Sequence, residues 1–425
     1  MIGKKVVTVL PVLFLFLSFI PITGDSTDSK PVDDTNDLEL KEISQYPFKE
    51  KYPSLSELYN WLDTLEDDYP DICKKIKFGE SWQGRDLYVM KISDNVDEDE
   101  DEPEVLIDGG LHAREWSGPQ VASYYMWRLL SGYDSNDTIH WLVNNREIFV
   151  APMLNPDGYV YDGEGDLSEQ KMWRKNRNTS TPTSNIGVDL NRNWDIKWSE
   201  GDDNPDSPTY HGESPHSEYE VKNYTEWILS RDIQSYQNLH SYAGTLLIPW
   251  CHTDKKSPHD DWYSAMAEDM TSLTSKMGNE DEHYSFGQAS ETIGYNAPGG
   301  ANDWVYEATG AHGMCFEIFT NQSGFYPSIS KIMKINKDLD DSLIYQTRVA
   351  DLDLGNGTAH KYPSEPYILY GNVKDVDDTP AEDNTVYLKN INTSKEMEII
   401  TDENGYFEFN LGNLDEEGYS DSDEF

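Results

Sequence analysis

The sequence predicts an α/β protein: a single domain on a mixed, mostly parallel twisted sheet flanked by helices, followed by a small β-sandwich. Three observations carry this prediction. Short apolar runs alternate with segments of helical period over roughly 300 residues, the pattern of strands and helices layered on one sheet. Beyond residue 365 the helical segments stop, and only short runs separated by turn residues remain. The chain also holds 12 Trp, 27 Tyr and 13 Phe, aromatic bulk for a core that disordered acidic chains lack.

The elements follow in order. Ser54-Leu55-Ser56-Glu57 is a capping box, and Leu58, Trp61, Leu62 and Leu65 recur at helical spacing, so a helix is expected over 54–67. Alternation over 86–92 predicts a strand, 96–104 an acidic loop, and 104–108 a short strand ending at Gly109-Gly110. A helix over 118–131 and a buried strand over 147–152 come next. Then follow a helix over 217–230, strands over 235–240 and 245–250, a helix over 260–276, a strand over 312–319 and a helix over 328–346. Further strands are expected over 367–373, 385–390, 396–400 and 406–410, with Asp402-Glu403-Asn404-Gly405 as a turn. A sandwich takes about seven strands, so this one is expected to be incomplete.

The N-terminus reads as a secretory signal. Lys4 and Lys5 precede an apolar stretch from Val6 to Ile22, and small and polar residues follow at Thr23-Gly24-Asp25-Ser26. Pro11 and Pro21 interrupt the stretch, which is short for a spanning helix, so a cleaved signal is favoured over a membrane anchor. The expected division is a signal peptide at 1–24, an acidic linker at 25–45, the α/β domain at 46–350, a second linker at 351–365 and the β module at 366–425. Export agrees with sequons at Asn136, Asn178, Asn223, Asn321, Asn356 and Asn392. Three cysteines, Cys73, Cys251 and Cys315, are no disulfide framework. Cys251 and Cys315 are open either to pairing or to burial as thiols.

The formal net charge is −46, from 79 acidic and 33 basic residues. Such a field repels polyanions, which excludes nucleic acid and anionic membrane surfaces as general partners. The acid is concentrated in the linker at 25–44, in Asp97-Glu98-Asp99-Glu100-Asp101-Glu102, and in the tail from Ser420 to Phe425, and reads as a solvating surface suited to high salt.

Against that background, His112-Ala113-Arg114-Glu115 directly follows a strand and two glycines. A His and a Glu three residues apart can converge on one metal, and ligand sites in α/β sheets lie at the carboxyl ends of strands. His240, at the end of the 235–240 strand, is the best third ligand, which makes a His₂Glu set with an open position, a catalytic zinc arrangement. The chain has only nine Arg. Arg174 and Arg177 fall in Met172-Trp173-Arg174-Lys175-Asn176-Arg177, Arg192 falls in Gly187-Val188-Asp189-Leu190-Asn191-Arg192-Asn193-Trp194, and Arg114 adjoins the metal motif. Guanidinium groups gathered near a metal suit recognition of carboxylates and of developing oxyanions. Arg177 reads better as a surface pair.

With Ser81-Trp82-Gln83-Gly84-Arg85, Asn155-Pro156-Asp157-Gly158-Tyr159, His240-Ser241-Tyr242, Gly294-Tyr295, Gly299 to Trp304, and Phe316-Glu317 added, residues 46–348 resemble the funnelin-type zinc carboxypeptidases, the family of carboxypeptidases A and B. The resemblance implies one Zn2+ held by His112, Glu115 and His240. It implies Glu317 as general base and Arg174 as the group that polarises the scissile carbonyl and holds the oxyanion. It implies Asn191, Arg192 and Tyr295 as a clamp for the substrate's terminal carboxylate, and Arg114 in subsites beyond the scissile bond. The implied substrates are peptides or proteins with a free C-terminus, handled by a secreted monomer. A related amidase acting on cell-wall peptides or acyl amino acids would use the same metal and base. A non-catalytic binding protein would be marked by loss of Glu317 or Arg174, and both are present.

Three departures stand out. The position that sets specificity in the family is Asn302, neither apolar nor acidic, with Leu247, Cys251 and Cys315 also at pocket positions, so neutral or broad specificity is expected. About 20 residues between signal and domain are too few for a globular inhibitory pro-domain. Tyr370-Gly371-Asn372-Val373 and Thr401 to Phe407 resemble the small regulatory-like β-sandwiches that follow many such enzymes.

Overall fold

The structure is a computed structural model that describes residues 45–183, 185–277, 279, 281–320, 324–350, 368–373, 379, 381, 384–389, 396–401 and 406–410. The signal segment, most of both linkers, the turn at 402–405, the acidic tail and the sequons at Asn321, Asn356 and Asn392 lie outside the described residues.

One eight-stranded sheet organises the α/β domain. Its strands are β1 (Cys73–Glu80), β2 (Asp86–Ile92), β3 (Glu104–Gly109), β4 (Glu147–Ala151), β5 (Ile233–Ser241), β6 (Thr245–Leu247), β7 (Ser285–Gly287) and β8 (His312–Ile318), in the order β1-β2-β4-β3-β5-β8-β6-β7. The centre, β4-β3-β5-β8, is parallel, as is β6-β7, while β1-β2, β2-β4 and β8-β6 are antiparallel. The sheet is therefore mixed and mostly parallel, as its sequence predicts.

Helices cover both faces. Successive residues of a strand point to opposite sides, and β3 shows it directly. Val105 and Ile107 pack with α1 (Leu55–Asp68), α2 (Ser117–Gly132) and their neighbours, whereas Leu106 packs in a second core. Short helices α3 (Asp137–Val143) and α4 (Pro156–Tyr161) follow α2 in the chain. The second core takes Val221, Tyr224 and Ile228 from α5 (Tyr219–Ile228). The first takes Met266 from α6 (Asp260–Ser272), and Ile332, Leu339 and Leu343 from the last long helix. After the one-turn α7 (Ala289–Thr292), α8 (Ala301–Thr309) packs Val305 on the second core, and α9 (Ile329–Arg348) is that last helix. A strand buried on both faces is a run of apolar residues, which is why 104–108, 147–152 and 312–319 are readable from sequence.

Several elements differ from expectation. β1 has no predicted counterpart because Lys74, Lys75 and Lys77 dilute its apolar pattern, which suits the sheet edge it occupies. The 245–250 run is a strand only to Leu247, since Pro249 cannot donate to a ladder. α8, absent from the sequence reading, opens with Ala301-Asn302-Asp303 after Gly300, so buried polar residues interrupt its short apolar stripe of Ala301, Trp304 and Val305.

In the C-terminal part the four expected runs are strands: β9 (Ile368–Asn372), β10 (Thr385–Lys389), β11 (Glu396–Ile400) and β12 (Tyr406–Asn410). They form two antiparallel pairs, β9 with β12 and β10 with β11. All three cysteines are buried free thiols, so Cys251 and Cys315 are not paired. Of the described sequons, Asn178 is only 6% exposed, and its amide donates to both oxygens of Glu218 at 3.1 and 3.0 Å. No helix among the described residues is long and apolar enough to cross a membrane.

Candidate active site

The parallel centre of the sheet brings the chemistry together. β3, β5 and β8 are neighbours with matched register, so the residues at their carboxyl ends lie side by side. Past β3, Gly110 turns the chain at φ +72°, a conformation that favours glycine, and delivers His112 and Glu115. His240 lies near the end of β5, with Glu317 opposite it on β8. His112, Glu115 and His240 are all buried, and their ligand atoms lie within 4.8 Å of one another.

The three side chains face each other. His112 Nδ1 lies 2.9 Å from Glu115 Oε1, His240 Nδ1 lies 2.8 Å from Glu115 Oε2, and the two Nδ1 atoms are 2.9 Å apart. Two ring nitrogens and a carboxylate aimed at one point form a donor set for a borderline-soft divalent cation, and zinc takes this combination. On its far side, His112 Nε2 meets Asp189 Oδ1 at 3.0 Å, the carboxylate–imidazole arrangement that fixes the tautomer of a metal-ligating His. The backbone N–H of Ser241 donates to Glu115 Oε2 at 3.1 Å and fixes the carboxylate. The residues therefore fit zinc. Burial pushes Glu115 up, but His112 and His240 outweigh it and hold the carboxyl well below its ordinary range.

The other residues singled out by sequence surround this group. Arg174 donates from Nε to Asp189 Oδ2 at 2.8 Å, with Nη1 3.6 Å from Glu115 Oε1. Burial raises Asp189, yet Arg174 and His112 keep it well below the carboxylate range. Asn191 accepts from the N–H of Ala301 at 2.9 Å and sets its amide 3.2 Å from His240 Nε2. Arg192 is buried and donates to the Asn191 carbonyl at 2.6 Å. Gly299, at φ +74°, lets the chain pass so close that a Cβ there would stand 2.3 Å from the Arg192 carbonyl oxygen. Glu317 is pushed up to about 7, first by burial and then by the charge of Glu115, against the pull of His240, Arg174 and Arg192. Tyr295, 52% exposed, lies within electrostatic reach of Glu317, Arg192 and Arg174. The Arg114 guanidinium lies 4.2 Å from the centre of the Phe325 ring. Asn302 is buried in the first turn of α8, directly after the Ala301 that bonds Asn191.

Two acids escape the sequence reading. Asp189 joins a site imidazole to Arg174, and its signal is only its place inside the Gly187 to Trp194 motif. Asp303 organises the segment of Cys251 and His252, accepting from both backbone N–H groups at 2.8–3.0 Å and from His252 Nδ1 at 2.8 Å. Neither shows in sequence among so many acids.

Fold and site together define an α/β protein of the metallohydrolase class, with a His₂Glu cluster at the carboxyl ends of parallel strands. The family model for zinc carboxypeptidases matches residues 58–341. The chain belongs to the zinc carboxypeptidase family. It is 31% identical to mast cell carboxypeptidase A of Rattus norvegicus over 317 residues, 71% of this chain and 74% of that protein. It is 32% identical to carboxypeptidase A1 of Mus musculus over 287 residues, and spans about two thirds (66%) of that relative's length. Among solved structures, thrombin-activatable fibrinolysis inhibitor superposes with a TM-score of 0.66 at 28% identity, covering 76% of this chain and 81% of that one. Carboxypeptidase A from Helicoverpa armigera shares the fold with a TM-score of 0.65 at 24% identity, covering 76% and 82%.

Proposed function

We propose that this chain is a secreted, zinc-dependent metallocarboxypeptidase that releases single C-terminal amino acids from peptides and proteins. One observation carries the reading: a buried His₂Glu donor set, a protonatable Glu317, and Arg174 and Arg192 converge at the carboxyl ends of the central strands. His112, Glu115 and His240 hold the zinc. When bound, that ion supplies a Lewis acid and lowers the pKa of water at the site.

The chain's own groups do the rest. Glu317 takes a proton from the attacking water and returns it to the leaving amine, a task suited by a carboxyl that burial has lifted toward neutrality. Arg174, held by Asp189, donates to the oxyanion as the carbonyl becomes tetrahedral. Asn191, Arg192 and Tyr295 pair with the substrate's terminal carboxylate, so a chain without a free C-terminus gains nothing there. Arg114 contacts residues on the other side of the scissile bond, and Asn302 faces the terminal side chain. The catalytic domain is 46–350 and acts as a monomer, after removal of the signal at 1–24, with a regulatory-like β module at 366–425.

The test is release of terminal residues from a panel of N-blocked dipeptides, with and without a zinc chelator. Release that stops on chelation and returns with zinc is expected. No release from any member, with zinc bound, overturns the reading.

A further inference from the structure

β8 carries Glu317 and, two residues earlier, Cys315 on the same face, roughly 7 Å along the strand. The antiparallel neighbour β6 sets Thr245 opposite Glu317 and Leu247 opposite Cys315. Leu247 and Cys315 pack with Cys251 and Ala289 as a small apolar cluster separate from the two main cores, with Ile293 and Ala297 partly buried against it. Asn302, one residue beyond the Ala301 that bonds Asn191, is the polar member of this floor, and its amide reaches Cys251 Sγ. Sulfur, methyl groups and one carboxamide therefore lie together two residues along β8 from Glu317.

The hydrogen-bond donors of Asn302 and Cys251 are spent within the protein. Asn302 Nδ2 lies 3.3 Å from Cys251 Sγ and 3.3 Å from Asp303 Oδ1. The Cys251 thiol points to the Ile248 carbonyl at 3.6 Å. The carboxylate of Asp303 is met by the N–H groups of Cys251 and His252 and by the His252 ring, so neither oxygen is left for a substrate cation. A carboxylate oxygen beside the amide also fixes its orientation, because only the NH₂ end can face it. Asn302 Oδ1 is left over, and no described protein group donates to it.

We propose that this pocket selects terminal residues whose side chains end in an uncharged hydrogen-bond donor, carboxamides above all; the proposal rests on the carboxypeptidase reading of the site. A carboxamide gives its NH₂ to Oδ1 while its methylenes cover the sulfur and methyl walls. An apolar side chain of the same length leaves Oδ1 dry and unpaired. An acidic side chain sets acceptor against acceptor, with Asp303 behind. A Lys or Arg side chain surrenders its hydration for one neutral acceptor, because the Asp303 carboxylate behind it is already bonded by Cys251, His252 and the Asn302 amide.

The experiment compares kcat/KM of the zinc-loaded, full chain on four N-blocked dipeptides that differ only in a terminal Gln, Met, Glu or Lys. Gln is expected to exceed Met, its near-isostere, by about tenfold or more, and to exceed Glu and Lys by more. A smaller Gln/Met ratio, or Lys as the fastest substrate, overturns the proposal. Asn302→Leu is expected to collapse the Gln/Met ratio, and an unchanged ratio also overturns it. The wild-type ratio decides the matter if that variant does not fold. Failure to release any of the four residues would instead refute the carboxypeptidase reading itself.

Discussion

The two ends of the same central strands carry buried charge in opposite ways. At the amino end, Asp99, Glu104 and Glu147 converge as tightly as the site ligands, within 4.8 Å. There Arg231 stands among them, 2.9 Å from Asp99 and 2.7 Å from Glu147 and bonded to Glu104, and Lys91 reaches the other oxygen of Glu147. At the carboxyl end, His112, Glu115 and His240 face one another directly, while Arg174 bonds Asp189 and comes no nearer to Glu115 than 3.6 Å. Convergence of acids and imidazoles is thus a poor guide to function on its own. What separates a fastening from a site is whether the chain supplies its own cation.

That contrast can be broken at each end. The largest effect is expected at the carboxyl end: Glu317→Gln should lower kcat by about 10²–10⁴-fold, with zinc content by elemental analysis and the unfolding midpoint close to wild type. At the amino end the effect should fall on stability. Arg231→Ala leaves Glu104 and Glu147 with a lost counter-charge, and should cost about 3–5 kcal/mol in denaturant unfolding, while kcat/KM per folded molecule stays as it was.

A third buried acid sharpens the comparison, because its partners are neutral. Glu220 accepts from the Asn176 amide and from the backbone N–H groups of Trp82 and of Glu220 itself, and burial, then the nearby charge of Glu218, pushes it up to about 8. The folded chain keeps this proton over a range where the unfolded chain, near 4.5, has lost it. Stability from this group is therefore full below pH 4.5 and falls as pH rises toward 8, by at most about 1.4 kcal/mol per unit. Glu220→Gln should flatten that part of the stability–pH curve, measured by unfolding at a series of pH values. The smallest effect is expected at a helix start: Ser54→Ala removes the capping box of α1 and should cost about 1 kcal/mol of stability without altering turnover.

How much of this was legible from sequence follows the same division. The ends of β3 and β8 could be read because each strand holds a short apolar run, Val105 to Ile107 and Met314 to Phe316, with Glu317 directly after the second and His112 just past the glycines that follow the first. β5 mixes Gln234, Ser235, Gln237 and Asn238 into its pattern, so the place of His240 at its end is the weaker reading. Asp189 could not be placed, since its bond to His112 spans 77 residues of chain and depends on a loop without periodicity. The acidic run at 97–102 reads as solvated surface, yet Asp99 reaches Arg231 and the Glu100 backbone N–H donates to Glu147 at 3.0 Å, because Arg231 is too far along the chain to be anticipated. α8 went unseen since its polar first turn, Asn302-Asp303, is turned inward.

Asn178 has a consequence for making the protein. Its amide is sealed against Glu218 in the finished fold, while Ser180 Oγ bonds the same side chain at 2.7 Å. A sugar attached at this asparagine during synthesis would have to occupy space already filled, so a host that glycosylates nascent chains would divert part of its yield into molecules unable to close. Ser180→Ala erases the acceptor motif and leaves the Asn178–Glu218 bonds in place, which makes it the first change to try when secreted material is scarce.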